Sequence, residues 1–264
     1  MSGLDTSIIT KRVLTDVHAH LSDPVFDADR AEVMDRARQA GVGVVVAVGE
    51  TLEDARRNIA LADQHPGILP AVGLYPTHLD LEQAEAVVSF IREHRSRLVA
   101  IGEVGFDHWK VQDREGRRLQ RDIFGRFIDL SLELDLPLNV HSRSAGAEVV
   151  AFLLERGARR VLLHAFDGRP ATAMPAVEAG YFFSIPPSVV RSRQKQKLVR
   201  RLPLSCLLLE TDSPVLGPEP GLRNEPANII ISLRAVTEIK GLEEAIVREA
   251  VEQNTRRLFG KMPV

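Results

Sequence analysis

V-G-V-V-V-A-V, residues 42–48, is apolar at every position, where a strand with one face in water would alternate apolar with polar residues. Such an unbroken β-branched run fits a parallel strand covered on both faces. The run is bounded as Gly43–Val48, and seven others like it flank it: Val13–Val17, Ile68–Leu74, Leu98–Val104, Leu138–His141, Val161–His164, Tyr181–Ile185 and Cys206–Glu210. Helical patterns fill the gaps at Asp29–Ala40, Leu52–Gln64, Leu81–His94, Glu115–Asp135, Ala147–Arg156, Ala171–Glu178 and Arg191–Arg201, with two more at Ile229–Ile239 and Leu242–Leu258. Gly41, Gly67, Gly157 and Gly180 follow four of them as C-terminal stop signals. Strand and helix alternate eight times, which predicts an α/β fold, a (β/α)8 TIM barrel; an open parallel sheet is the alternative.

A barrel of this kind occupies about 250 residues, so the 264-residue chain is expected to form one domain over residues 1–264. Hydrophobic residues make up 44% and charged residues 27%, with no low-complexity stretch, so the whole chain should fold. Net charge is −2, which excludes the global basic field of non-specific DNA binders; any polyanion must be held locally. The single cysteine, Cys206, sits in the apolar run C-L-L-L-E and has no intramolecular partner, as expected of a buried core thiol in a reducing compartment. The first residues lack the apolar core of a signal peptide and no apolar stretch approaches a membrane span. The expectation is a cytoplasmic monomer with no membrane partner.

Barrels of this class place their active sites at the C-terminal ends of the strands. There the chain puts His18 and His20, Glu103, His141, His164, Glu210 and Asp212. In V-L-T-D-V-H-A-H the two histidines point to one side, since strand residues alternate with period two, and can chelate one ion. A lone strand histidine is ordinarily a satisfied core residue, but so many ionisable groups buried together without a cation would be very costly. Imidazole nitrogen with carboxylate oxygen suits Zn²⁺, Mn²⁺, Fe or Co better than Mg²⁺ or Ca²⁺, although Mg²⁺ can still support activity. Six candidates (His18, His20, Glu103, His141, His164 and Asp212) exceed one tetrahedral set, so two divalent metal ions about 3.5–4 Å apart are expected, with Glu103 as the bridge. The chemistry that follows is that of a metal-dependent hydrolase. Such ions activate a water; Asp212 would act as general base, with Glu210 either assisting it or only bracing the ligands.

The ordered motifs D-V-H-A-H (Asp16–His20), I-G-E-V-G-F-D (Ile101–Asp107), N-V-H-S-R (Asn139–Arg143), L-H-A-F (Leu163–Phe166) and E-T-D-S-P (Glu210–Pro214) resemble those of the TatD family of metal-dependent deoxyribonucleases, over nearly the whole chain. H-S-R-S-A-G, L-L-H-A-F-D-G-R-P, G-Y-F-F-S-I-P-P-S and R-N-E-P further resemble its animal branch, the TatD domain-containing protein three group. The resemblance implies a TIM barrel with two or three divalent ions on the same six ligands. It also implies hydrolysis of phosphodiester bonds, chiefly as a 3′-5′ deoxyribonuclease, with single-stranded DNA ends as the nucleic acid substrate. Some relatives resemble D-aminoacyl-tRNA deacylases, and a small-molecule amidohydrolase on the same barrel is a further alternative. A scaffold that has lost turnover is disfavoured by the full ligand set. The family's usual G-x-H-P-H is here G-L-Y-P-T-H at Gly73–His78, so Tyr75 stands where a histidine is common. A tyrosine can donate to phosphate but is a poor divalent ligand, which puts a third ion in doubt; His78 either recovers that role or is a solvated loop residue, the second reading being favoured.

Beyond the metal ligands, Arg143 and Arg223 are expected to clamp a phosphate, the latter from the Pro- and Gly-rich loop L-G-P-E-P-G-L-R-N-E-P, with Asn224 adding a hydrogen bond. Both arginines could equally form surface ion pairs. His108 and Trp109 follow the fourth strand, where the indole either stacks a nucleobase or packs on its own loop. The basic cluster Arg191, Arg193, Lys195, Lys197, Arg200 and Arg201 reads as a solvated helix face.

Overall fold

The structure, a computed structural model, describes residues 13–260. Eight strands form one parallel sheet in chain order: β1 (Leu14–Ala19), β2 (Val42–Val48), β3 (Ile68–Val72), β4 (Ala100–Gly105), β5 (Leu138–His141), β6 (Val161–Leu163), β7 (Phe182–Ile185) and β8 (Leu207–Leu209). The helices are α1 (Arg30–Gln39), α2 (Leu52–Gln64), α3 (Leu81–His94), α4 (Arg114–Leu134), α5 (Gly146–Glu155), α6 (Pro170–Glu178), α7 (Arg193–Arg201), α8 (Ile229–Lys240) and α9 (Glu244–Phe259). Strand and helix alternate around a nearly closed TIM barrel, not an open sheet. No helix among the described residues is long and apolar enough to cross a membrane.

Closure between β8 and β1 is made largely by a side chain. The buried Asp16 carboxylate accepts from the Thr211 backbone N–H at 2.9 Å and the His18 N–H at 3.3 Å through Oδ1, while Oδ2 takes the Thr211 hydroxyl. Beyond it, Asp212 N–H donates to His18 O (2.9 Å) and His20 N–H to Ser213 O (2.7 Å). Burial pushes the Asp16 carboxyl up to about 8, against the pull of the Thr211 hydrogen bonds. The seam therefore ties both histidine-bearing and aspartate-bearing segments to one buried acid.

Side-chain alternation decides what reaches the barrel mouth. On β5 to β8, one row (Leu138, Val140, Val161, Leu163, Phe183, Ile185, Leu207, Leu209) joins the main apolar core against the helices. The alternate row holds Asn139 and His141, Leu162 then His164, Phe182 and Ser184, Leu208 then Glu210. Val17, Leu162, Phe182 and Leu208 cluster on Phe259 at the end of α9, as do Val46, Val48, Ala71 and Ala100. Apolar residues thus fill most of the inside row, and polar ones gather toward the C-terminal strand ends, with Asn139 inside β5 as an exception.

Local chemistry sets the element ends. Thr51 caps α2 by accepting from Asp54 N–H (3.2 Å), Asp80 caps α3 through Glu82 and Gln83 N–H, and Asp113 caps α4 through Gly116 N–H. Pro170 opens α6, and Ser192 caps α7, so that helix starts two residues later than its sequence pattern suggests. One expectation needs correction: Gly67 is not a helix stop. Helix α2 ends at Gln64 and leaves through an extended His65, while a Cβ on residue 67 would stand 2.8 Å from the Gly43 carbonyl oxygen. Gly67 is required by the close approach of the chain to β2.

The tightest such approach lies at Gly105, where φ is 142° and a Cβ would meet His141 O at 2.1 Å. Gly157, which ends α5 at φ 67°, has nothing within 4 Å of its added Cβ. Gly157→Ala should therefore cost only the left-handed backbone penalty of about 1 kcal/mol, and Gly105→Ala at least about 2 kcal/mol more. Urea unfolding midpoints of the two variants measure the difference, and equal midpoints would refute this reading of the β4–β5 contact.

Candidate metal centre

The candidate ligands converge at the C-terminal mouth of the barrel, over a cavity of about 440 Å³. His18 Nε2 stands 3.3 Å from His20 Nε2 and 3.5 Å from Asp212 Oδ1, and His20 Nε2 stands 3.3 Å from Asp212 Oδ1. Glu103 Oε2 closes the group at 3.5 Å from His20 and 3.8 Å from His18. Four donors about 2.0–2.2 Å from one tetrahedral ion would lie about 3.3–3.6 Å apart. His18, His20 and Asp212 keep that spacing, while Glu103 Oε2, at 3.8 Å from His18, stands slightly outside it.

The other Glu103 oxygen faces a second group. Oε1 stands 2.5 Å from His141 Nδ1 and 2.8 Å from His164 Nε2, with those nitrogens 3.2 Å apart. The rings of His18 and His164 stack at 3.8 Å, so the two groups are adjacent. Glu103 Oε2 is buried without any hydrogen-bond partner. An orphaned anionic oxygen facing two imidazole nitrogens fits a cation, and the mixed nitrogen and oxygen donors fit a transition metal or zinc.

Ring orientation is fixed from behind. Asn139 Nδ2 donates to Val17 O at 2.9 Å, which turns its Oδ1 toward His18 Nδ1 at 2.8 Å. His18 Nδ1 must then carry the proton, which leaves Nε2 bare toward the cavity. Asp107 Oδ2 holds His141 Nε2 at 3.2 Å and accepts from Tyr75 OH at 3.1 Å. Glu210 accepts from Ala165 N–H (2.8 Å) and the Ser184 hydroxyl (2.5 Å), with His164 Nδ1 at 3.7 Å.

Charge is distributed accordingly. Burial alone would raise the Glu103 and Asp212 carboxyls, but His164 and His141 around the first and hydrogen bonds from His18 and His20 to the second hold both well below the usual range. Burial opposes charging His20, yet its hydrogen bond to Asp212 and the nearby Glu103 carry it up to about 9. His141 and His164 are raised against the same penalty, chiefly by Glu103.

Not every expected contact reaches the cavity. Arg143 does, with its guanidinium 3.8 Å over the half-exposed Trp109 ring and Lys110 Nζ 4.8 Å from the same ring. The indole is thus already stacked by its own loop and its neighbour. Tyr75 lines the cavity, and its hydroxyl is spent on Asp107. Arg223 does not line it: both its terminal nitrogens bind Asp29 and it lies over Phe26, which makes it a loop anchor. Asn224 is buried, its amide donating to Thr211 O and Val215 O and its oxygen accepting from Asn228, so nothing is left for a substrate. His78 sits in a separate crevice beside Pro76 and Gln120, and His108 is buried against Phe106.

Four participants were given no role in the sequence, among them Glu50, whose carboxylate stands 3.8 Å from His20 Nδ1, and a fifth, Lys195, reads there as part of a solvated helix face. Asn139 precedes His141 by two on the same strand row, and Asp107 and Glu50 follow strand ends by two residues, so the strand-end rule applied to every polar residue would have found all three. Asp16 lay within the quoted D-V-H-A-H. Lys195, three and four residues before the buried Leu198 and Val199, shares the inner face of α7 and lines the cavity.

The family described as TatD related DNase matches residues 15–260. The human protein named Deoxyribonuclease TATDN3 is 45% identical over 261 residues, covering 94% of this chain and 95% of its own length. A Bacillus subtilis protein named Uncharacterized metal-dependent hydrolase YabD is 31% identical over 94% of this chain and 99% of its own. The crystal structure of the Escherichia coli TatD homolog YJJV superposes with a TM-score of 0.87 at 26% identity, covering 95% and 99% of the two chains. A barrel whose mouth gathers four histidines around one buried glutamate, matched along its length by these relatives, belongs to the TatD family, and the chain is a metal-dependent hydrolase.

Proposed function

We propose that His18, His20, Asp212 and Glu103 Oε2 hold one divalent ion, that Glu103 Oε1, His141 and His164 hold a second, and that the enzyme hydrolyses phosphodiester bonds. The observation that carries this reading is the buried Glu103 carboxylate, shared between two imidazole sets with Oε2 unpartnered. When bound, such ions polarise the ester and lower the pKa of the attacking water. Asp212, kept ionised by His18 and His20, takes the water proton. Glu210, which accepts from Ala165 N–H and the Ser184 hydroxyl, positions the turn after His164. Arg143 at the rim makes no ion pair among the described residues and is available to a phosphate.

The naming of the human relative as a deoxyribonuclease supports DNA as the substrate; 3′-5′ action on single-stranded DNA ends is proposed from the motif resemblance.

Reconstituted with Mn²⁺, Zn²⁺ or Mg²⁺, the protein should shorten 5′-labelled single-stranded DNA from its 3′ end, and EDTA should abolish this. Glu103→Gln and Asp212→Asn should each slow the reaction at least about a hundredfold. Release of a D-amino acid from charged tRNA with DNA ends left intact would overturn the nuclease reading in favour of a deacylase.

Metal binding should depend on pH with a definite sign. His20 is raised from 6.5 to about 9, so its protonated form stabilises the metal-free fold fully below pH 6.5 and loses that contribution as pH rises through about 9. A divalent ion needs the same nitrogen unprotonated and displaces the proton. The melting temperature of chelated protein should therefore fall between pH 6.5 and 9, and the gain on adding Mn²⁺ should grow across that interval. Thermal shift assays in matched buffers measure both, and a gain that shrinks with rising pH would remove His20 from the ligand set.

A further inference from the structure

Among the residues lining the cavity, only Arg143 and Lys195 carry a cation other than histidine, and they differ in setting. Arg143 is exposed and stacked on Trp109. Lys195 enters from the first turn of α7, which is docked onto the β6–α6 turn by Gln194 Nε2 donating to Gly168 O at 2.6 Å. Its ammonium donates to Ala165 O at 2.8 Å, the residue directly after His164. An ammonium has three N–H donors, and this is the one hydrogen bond it makes among the described residues. Among the described residues no carboxylate lies within ion-pair distance, although Glu210, Asp167 and Asp212 act on it from further off. The side chain is half-buried with two donors unspent, and those donors border the space where an ester must lie to reach the His141 and His164 side of the centre.

We infer that Lys195 is a substrate-binding residue that holds an anionic non-bridging oxygen of the phosphoester. This rests on the phosphoester reading above. The β7 sector offers no metal ligand, since Ser184 donates to Glu210 and Ile185 belongs to the outer apolar row. Its place in the ring of functional groups is taken by this lysine from the following helix. A tether to the residue after His164 fixes the ammonium beside the metal centre without making it a ligand.

The alternative role for Lys195 is a clamp on the β6–α6 turn, and calorimetry separates the two. Mn²⁺-loaded protein is titrated with inorganic phosphate, wild type beside Lys195→Gln, Lys195→Arg and Lys197→Gln, the last removing an exposed charge from the same helix. Lys195→Gln, which keeps a donor for Ala165 O, should weaken phosphate binding roughly ten- to a hundredfold. Lys195→Arg should restore most of it, and Lys197→Gln should match wild type. Mn²⁺ affinity and melting temperature of Lys195→Gln should stay unchanged. Undiminished phosphate binding in Lys195→Gln, absent binding in wild type, or losses that track Mn²⁺ affinity and melting temperature in both Lys195 variants would overturn the inference. A wild type that binds phosphate through Lys195 but leaves every phosphodiester uncut would instead overturn the phosphodiesterase reading alone.

Discussion

Burial of the Glu103 carboxylate is the constraint on which the centre depends. Moving a carboxylate out of water is costly unless charge and hydrogen bonds compensate, and burial is the largest influence on this group. Compensation comes from four imidazoles supplied by β1, β5 and β6, and each element must end at the same height for all four to reach it. A closed parallel barrel meets that condition because every strand ends at one rim, whereas an open sheet would spread the same residues along an edge. The fold and the charge cluster are thus one solution: apolar residues pack most of both strand rows, and the inside row turns polar toward the strand ends.

Convergence alone would not give a competent centre, because imidazoles rotate and exchange tautomers. The structure removes that freedom with acceptors placed behind the rings. Val17 O orients the Asn139 amide, the amide oxygen claims the proton on His18 Nδ1, and His18 Nε2 is left bare. Asp107 restrains His141 while also taking the Tyr75 hydroxyl. Asp16 works one step further back, since the seam it forms sets the relative height of His18, His20 and Asp212.

Periodicity made the fold legible. The uninterrupted Val42–Val48 run, the alternation with helices and the C-terminal strand-end rule located all eight strands within a residue or two of their observed bounds, and all six converging ligand candidates lie within three residues of a strand end. His164 and Glu210 fall just past β6 and β8, which stop at Leu163 and Leu209, shorter than the apolar runs suggest. Gly67 was misread because a glycine after a helix looks the same in sequence whether it turns the chain or lets two backbones approach. That distinction is tertiary.

Substrate-facing residues were harder for the same reason. An arginine in a Pro-rich loop carries no mark of its partner, and Arg223 is claimed by Asp29 from a segment nearly two hundred residues away, with the paired Asp29 carboxyl held down to about 2. Lys195 had the opposite fate: set among five other basic residues, it looked solvated, yet its spacing from Leu198 and Val199 put it on the buried face of α7. The near-neutral chain charge is consistent with this arrangement, because a polyanion can be met locally by one half-buried ammonium and one stacked guanidinium bordering a cavity of about 440 Å³. With so few cations at the mouth, selectivity for an anionic ester has to come from where those two are held, and both are held by neighbours of the ligand-bearing strands: Ala165 after His164, and Trp109 after β4.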